Sequence, residues 1–182
     1  MVKKEIRETM RRLNRAVDSQ QRLTAASAIF SAVERLPEFR AARTVAVFAA
    51  LPDEPATDEV LARWAETRRV VLPRVEGDEM RFYACRPDAL VFGAFGILEP
   101  QGEQACSAGE IDLVICPGVA FTSDGRRLGR GRGYYDRYLG QSAFRGFRVG
   151  VCYAHQLVDD LPVEPHDVRM DVVVSDRSEI LL

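Results

Sequence analysis

The stretch RRLGRGRGYYDRYL, Arg126 to Leu139, holds five arginines, three glycines, three tyrosines and a single acid, Asp136, in fourteen residues. Gly129, Gly131 and Gly133 free the backbone for unusual φ values and let a ligand approach closely. Successive N–H groups in such a turn form an anion nest. A helix starting near Gly133 would add its first N–H groups and its dipole to the same field. Arg127, Arg130 and Arg132 bring planar donors suited to phosphate or carboxylate oxygens. Tyr134 and Tyr135 offer rings for stacking and hydroxyls for hydrogen bonds. Asp136 is the lone carboxylate beside this charge, and Mg²⁺ bound with phosphates takes one or two carboxylates. The ligand such a loop suits is anionic and partly planar.

Blander readings fit the same residues. One is a solvated basic turn with structural tyrosines. Another is an RGG-type RNA-binding tract, but those are longer, repetitive and disordered. The sequence GxxxxGK[ST] is absent, so this is not an ordinary P-loop. The whole chain carries a formal net charge of -2. A general nucleic-acid binder presents a net basic face, so the positive charge here is focused on one anion site and no nucleic-acid partner is expected. No apolar run approaches the ~20 residues of a membrane span. The N-terminus, MVKKEIRETM, is charged and lacks an apolar signal-peptide region. Cys85, Cys106, Cys116 and Cys152 form no CxxC pair, and their spacing with His155 and His166 matches no common zinc pattern. A reducing cytoplasm and no membrane partner are the expectation.

Several elements must position the loop. At 182 residues the chain suits one domain, residues 1–182. Ile6, Met10, Leu13 and Val17 recur at helical spacing and predict a first helix with one apolar face. Asp18 or Ser19 can cap a second, with a stripe of Leu23, Ala26, Phe30 and Val33 and an end at Pro37. TVAVFAA (44–50), RVVLP from Arg69 and DLVICP from Asp112 read as strands buried on both faces of a parallel sheet. FRVGVCYA and MDVVVS add two more strands. MRFYAC from Met80 alternates like an edge or antiparallel strand. Thr57 or Asp58 caps a helix with Val60, Leu61, Trp64 and Ala65 inward. Strand–helix alternation of this kind predicts an α/β domain with a largely parallel sheet. Ligands of such sheets bind beyond the carboxyl ends of strands. That rule puts LPDE, the Arg/Gly loop and YAHQ on one rim.

The wider segment DLVICPGVAFTSDGRRLGRGRGYYDRYL, Asp112 to Leu139, resembles the signature of the 5-formyltetrahydrofolate cyclo-ligase family. KKEIR, VFAALPDEPAT, VVLPRVEGDEMRFY, FGILEP and LPVEPHDVRMDVVVSD follow in the family's order and approximate spacing. The resemblance implies a compact three-layer α/β/α fold. It also implies conversion of 5-formyltetrahydrofolate and ATP to 5,10-methenyltetrahydrofolate, ADP and phosphate, using Mg²⁺. It places ATP contacts at Lys3, Lys4 and Arg7, and along Arg127, Leu128, Gly129, Arg130, Gly131, Arg132, Gly133, Tyr134 and Tyr135. It places folate contacts at Arg7, Ala49 and Glu54 and at Arg130 to Tyr134, with Arg130, Arg132 and Tyr134 facing the formyl group as catalytic candidates. Asp136 and Asp167 match the family's magnesium positions. Two departures stand out. Many bacterial members read GYGGGYYD in the loop, where this chain has Arg130 and Arg132. His155-Gln156 stands where Glu-Gln is frequent.

The bottom-up chemistry agrees with that implication. A formamide oxygen is a poor leaving group, and phosphorylating it makes it a good one. Such a step needs mainly positioning and charge stabilisation. No side-chain nucleophile is required, and a monomer is the expectation. A non-catalytic folate- or nucleotide-binding module is the competing reading.

Overall fold

The computed structural model describes residues 2–177 and 180–181. Among these residues the five α-helices are α1 (Lys3–Arg15), α2 (Ser19–Arg35), α3 (Pro37–Ala41), α4 (Asp58–Ala65) and α5 (Tyr134–Leu139). The strands are β1 (Thr44–Ala46), β2 (Arg69–Glu76), β3 (Glu79–Ala84), β4 (Val91–Phe92), β5 (Leu98–Glu99), β6 (Ala105–Cys106), β7 (Leu113–Cys116), β8 (Ala120–Phe121), β9 (Arg127–Leu128), β10 (Phe147–Cys152), β11 (Val172–Ser175) and β12 (Ile180–Leu181). Eight of them form one sheet in the order β12-β11-β10-β7-β1-β2-β3-β6. The five central strands run parallel, and β12, β3 and β6 are antiparallel additions. β4–β5 and β8–β9 are separate small hairpins.

Alternation along the central strands sends side chains to two cores. Val45, Val70, Leu113, Ile115, Val149, Val151, Val172 and Val174 meet Ile29, Phe30, Val33, Leu36, Phe39, Leu61 and Trp64 from α2, α3 and α4. Ala46, Val71, Val114, Cys116, Cys152 and Val173 face the other way, onto Phe121, Tyr138, Leu139, Phe144 and Met170. The expected three layers are present, but the second outer layer is built from the short α5, the β8–β9 hairpin and loops. α1 docks on that hairpin through Ile6, Met10, Ala120, Leu128 and Leu161. Asp112 fixes the start of two neighbouring strands, accepting from Arg43 N and Thr44 N at 2.8 Å each.

Several expected details are corrected. Pro37 does not simply end α2; it opens α3 at the first helical position, where its missing N–H costs nothing. On α1 the buried line is Ile6, Met10 and Asn14, and Leu13 is exposed, because Asn14 rather than Leu13 faces the chain after β10. Val17 lies past the helix end. Leu23 is 57% exposed, since the sheet-facing line of α2 begins at Ala25 and Ala26. Ala65 is exposed at the last turn of α4. Asp18 does cap α2: its carboxylate accepts from Gln21 N at 2.8 Å, and Gln21 Oε1 accepts from Asp18 N at 2.9 Å. Helix α4 starts from Thr57 without a side-chain cap bond, because the Thr57 hydroxyl oxygen accepts from Ala50 N instead.

Candidate active site

Counting only the five parallel strands in chain order, the sheet reads 2-1-3-4-5. The strand order reverses between β1 and β7, and a crevice opens beyond their carboxyl ends. A cavity of about 650 Å³ lies there. Phe48, Ala49, Leu51 and Glu54 from the chain after β1 line one side, and Pro117 and Gly118 after β7 line the next. The basic loop from Arg127 to Asp136 forms a third side, and Lys3 and Arg7 of α1 reach in from above it.

The loop's geometry follows from its glycines. Gly131 takes φ 101° and Gly133 φ 70°, angles that L side chains adopt only with strain. Gly133 is the residue from which α5 starts, and Tyr138 and Leu139 anchor that helix in the core. A Cβ at Gly131 would sit 3.5 Å from the Arg7 guanidinium carbon. Arg7 Nε donates to Gly129 O at 2.9 Å, so the first helix and the loop are tied together.

Charges in the cavity are arranged in pairs. Arg130 donates to Glu54 Oε1 from Nε (3.1 Å) and Nη2 (2.9 Å), and Nη2 also reaches Asp53 Oδ1 at 2.7 Å. Glu54 Oε2 accepts from Leu51 N at 2.9 Å. Burial pushes the Glu54 carboxyl up from its ordinary value, and the Arg130 guanidinium pulls it back part of the way. Arg22 of α2 holds the loop itself, donating to Glu54 O at 2.7 Å and Leu51 O at 3.1 Å. Arg127 is buried; it donates to Pro117 O at 3.1 Å and to Asp136 Oδ2 at 3.2 Å. Its guanidinium lies 5.3 Å from the Tyr135 ring centre. Burial raises the Tyr135 hydroxyl well above the usual tyrosine range, so it stays protonated. Arg132 sits over the Phe95 ring at 5.1 Å.

Two further acids line the far end. Lys3 Nζ lies 3.2 Å from Asp167 and 3.3 Å from Glu164. Burial pushes the Asp167 carboxyl up, but the Glu164 amide and Lys3 outweigh it and hold the group below its ordinary value. Asp136 Oδ1 accepts from Val168 N at 3.1 Å, which brings Asp136 beside the segment that carries Asp167. Ligand atoms of Glu164, His166 and Asp167 lie within 4.8 Å of one another. These carboxylates are oxygen donors of the kind a hard divalent cation takes. The cysteines play no part: Cys106, Cys116 and Cys152 are buried and Cys85 is half-buried.

Of the residues singled out in the sequence, Lys3, Arg7, Ala49, Glu54, Arg127 to Tyr135, Asp136 and Asp167 all line this one cavity. Lys4 does not; it is exposed on α1. YAHQ reaches the same rim but serves as a support. Gln156 Nε2 donates to Gly118 O and Val119 O at 2.9 Å each, and His155 Nε2 meets Asn14 Oδ1 at 2.6 Å. Sequence reasoning missed Arg22, and also the apolar wall of Pro73, Val75, Met80 and Ile97 with Glu99. Val75 and Met80 are direct cross-strand partners, so hairpin register was the signal that could have joined them. Arg22 left no signal, since an arginine on a helix face is ordinarily solvated.

A basic glycine loop and an acid-bearing loop meeting at the switch point of a parallel sheet define an α/β enzyme for small molecules. The sequence pattern of the 5-formyltetrahydrofolate cyclo-ligase family matches residues 1–176, and the chain belongs to that family. A 5-formyltetrahydrofolate cyclo-ligase from Mycolicibacterium smegmatis is 34% identical over 148 residues, 76% of each chain. The NMR structure of Aquifex aeolicus 5,10-methenyltetrahydrofolate synthetase superposes with a TM-score of 0.88 at 32% identity, covering 100% of this chain and 92% of that one. A 5,10-methenyltetrahydrofolate synthetase from Mycoplasma pneumoniae superposes with a TM-score of 0.78 at 26% identity, covering 97% and 99%.

Proposed function

We propose that the chain converts 5-formyltetrahydrofolate and ATP to 5,10-methenyltetrahydrofolate, ADP and phosphate, assisted by Mg²⁺. The observation that carries this reading is the convergence of α1, the LPDE loop and the Arg/Gly loop on one cavity. The phosphate chain of ATP lies along Gly129 to Gly133, under Lys3, Arg7 and Arg127. Arg132 and Tyr134 face the formyl group, with Arg130 set in place by Glu54 and Asp53. Ala49 and the apolar wall flank the flat ring. Asp136 and Asp167 hold Mg²⁺, which when bound neutralises charge on the phosphate oxygens.

The γ-phosphoryl group passes to the formyl oxygen as ADP leaves. The secondary amine of the same folate then attacks the formyl carbon and gives up its proton. Phosphate departs with the former formyl oxygen, and the ring is closed. The chain's part is to align the two reactants and to meet developing negative charge with fixed donors. Side chains of a single protomer line the cavity, and we read the working unit as a monomer, which sedimentation tests. Among the described residues, no helix is long and apolar enough to cross a membrane. We place the protein in the cytoplasm, with no nucleic-acid partner.

The test is an assay with both substrates, with and without Mg²⁺, following the near-ultraviolet band of the methenyl product. ATP consumption should require 5-formyltetrahydrofolate. Folate-independent ATP turnover, or tight folate binding with no product, would contradict the reading.

A further inference from the structure

Five acids line the cavity: Glu54, Glu99, Asp136, Glu164 and Asp167. Four of them pair with a cation, namely Arg130, Arg127 or Lys3. Glu99 pairs with none among the described residues. It is 7% exposed, yet only its Oε1 is bonded there, accepting from Val75 N at 3.2 Å. Around it the wall is apolar: Pro73, Val75 and Ile97. Oε2 has no partner among the described residues and is not sealed from solvent, so it remains a free acceptor at the cavity wall. The fold makes room for it. A Cβ at Gly93 would fall 2.0 Å from Glu99 Oε2, so any larger residue at 93 would displace the carboxylate.

A carboxylate offers about four acceptor sites on two oxygens. It is complemented by two adjacent N–H donors on a flat edge, in the fork geometry that strengthens both bonds. Resting on the function proposed above, we propose that Glu99 recognises the ring of the folate substrate. It accepts from the exocyclic amine and the neighbouring ring N–H of the 2-amino-oxopyrimidine edge. Glu54 is less suited to this task, because Oε1 is held by Arg130 and Oε2 by the Leu51 amide. The two acids divide the work: Glu54 sets an arginine, and Glu99 reads the heterocycle.

The experiment is calorimetric binding of 5-formyltetrahydrofolate, and separately of ATP, to the wild-type chain and to Glu99→Gln, with a thermal melt of each. A folate analogue lacking the exocyclic amine is titrated in parallel. Glu99→Gln should bind the folate about ten-fold or more weakly, since a charge-assisted pair is lost. ATP binding should change less than about two-fold, and the melting temperature should hold, because the isosteric amide keeps the volume and its oxygen can still accept from Val75 N. The analogue should bind both proteins alike, and should bind the wild type about ten-fold more weakly than the natural ligand does. This last comparison needs no variant and stands even if Glu99→Gln fails to fold. Equal folate affinity of variant and wild type would overturn the inference and leave the proposed function intact. So would joint loss of folate binding, ATP binding and thermal stability. A wild-type chain that binds no folate would overturn the proposed function itself.

Discussion

Arg130 shows how much of the site rests on single pairs. It carries three charge-assisted bonds to Glu54 and Asp53 at 3.1 Å or less, yet its side chain is 42% exposed. In Arg130→Ala the Glu54 carboxyl keeps its burial and loses the guanidinium that pulls it down. Its folded value therefore climbs further above the unfolded one. A carboxyl raised in this way contributes stability that is complete below its unfolded value and lost as pH rises through its folded value. Urea unfolding of Arg130→Ala should show a deficit that is small near about pH 4 and grows to about 1–2 kcal/mol above neutrality, water at the exposed arginine site absorbing the rest. Adding Glu54→Gln should flatten that dependence, and a deficit independent of pH would contradict the pairing. Arg132 behaves differently. It is exposed and packs on Phe95, so Arg132→Ala should leave stability within about 0.5 kcal/mol while lowering ATP use by about ten-fold or more. Equal loss of both would refute its role. The arginines were legible because Arg130 and Arg132 alternate with three glycines in one loop, with Arg127 just before it. Glu99 was not, because a lone acid before a proline gives no sign that it lines a ligand cavity.

At the scale of elements, the loop depends on backbone angles. Gly131→Ala places a side chain at φ 101° against Arg7. It should cost about 1–2 kcal/mol in stability and lower turnover more than that loss explains, since the loop must shift; turnover unchanged from the wild type would contradict this. The cap of α2 supplies the opposite case. Asp18→Ala should cost about 1 kcal/mol and leave turnover per folded molecule unchanged, because Asp18 touches only its own helix. Caps, buried strands and glycine turns are local codes, and these elements could be read from sequence. The exposed Leu13 and Leu23 were misassigned because periodicity fixes which residues share a face, while the partner decides which face is covered. α1 meets a hairpin of two-residue strands, not the main sheet, and so buries a narrower line.

For the whole molecule, the sheet and the cavity are mechanically joined at Phe121. Its ring is fully buried, and it lies so close beneath Gly118 and Gly150 that a Cβ at either would fall 2.5 or 2.6 Å away. Phe121→Ala should destabilise the chain by about 3–5 kcal/mol and weaken ATP binding, as the cavity wall at Gly118 loses its support; a melt little changed from the wild type would contradict that placement. Strand order could not be read from the sequence, because alternation does not say which strand neighbours which. The switch point between β1 and β7 emerges only from the pairing, and it explains why loops far apart in the chain share a pocket. The central claim is that this pocket moves a phosphoryl group onto the formyl oxygen. The most direct measurement follows a heavy-oxygen label placed in the formyl group of 5-formyltetrahydrofolate through one turnover with ATP. We expect the label in the released inorganic phosphate. Its appearance in water, with unlabelled phosphate, would contradict the claim.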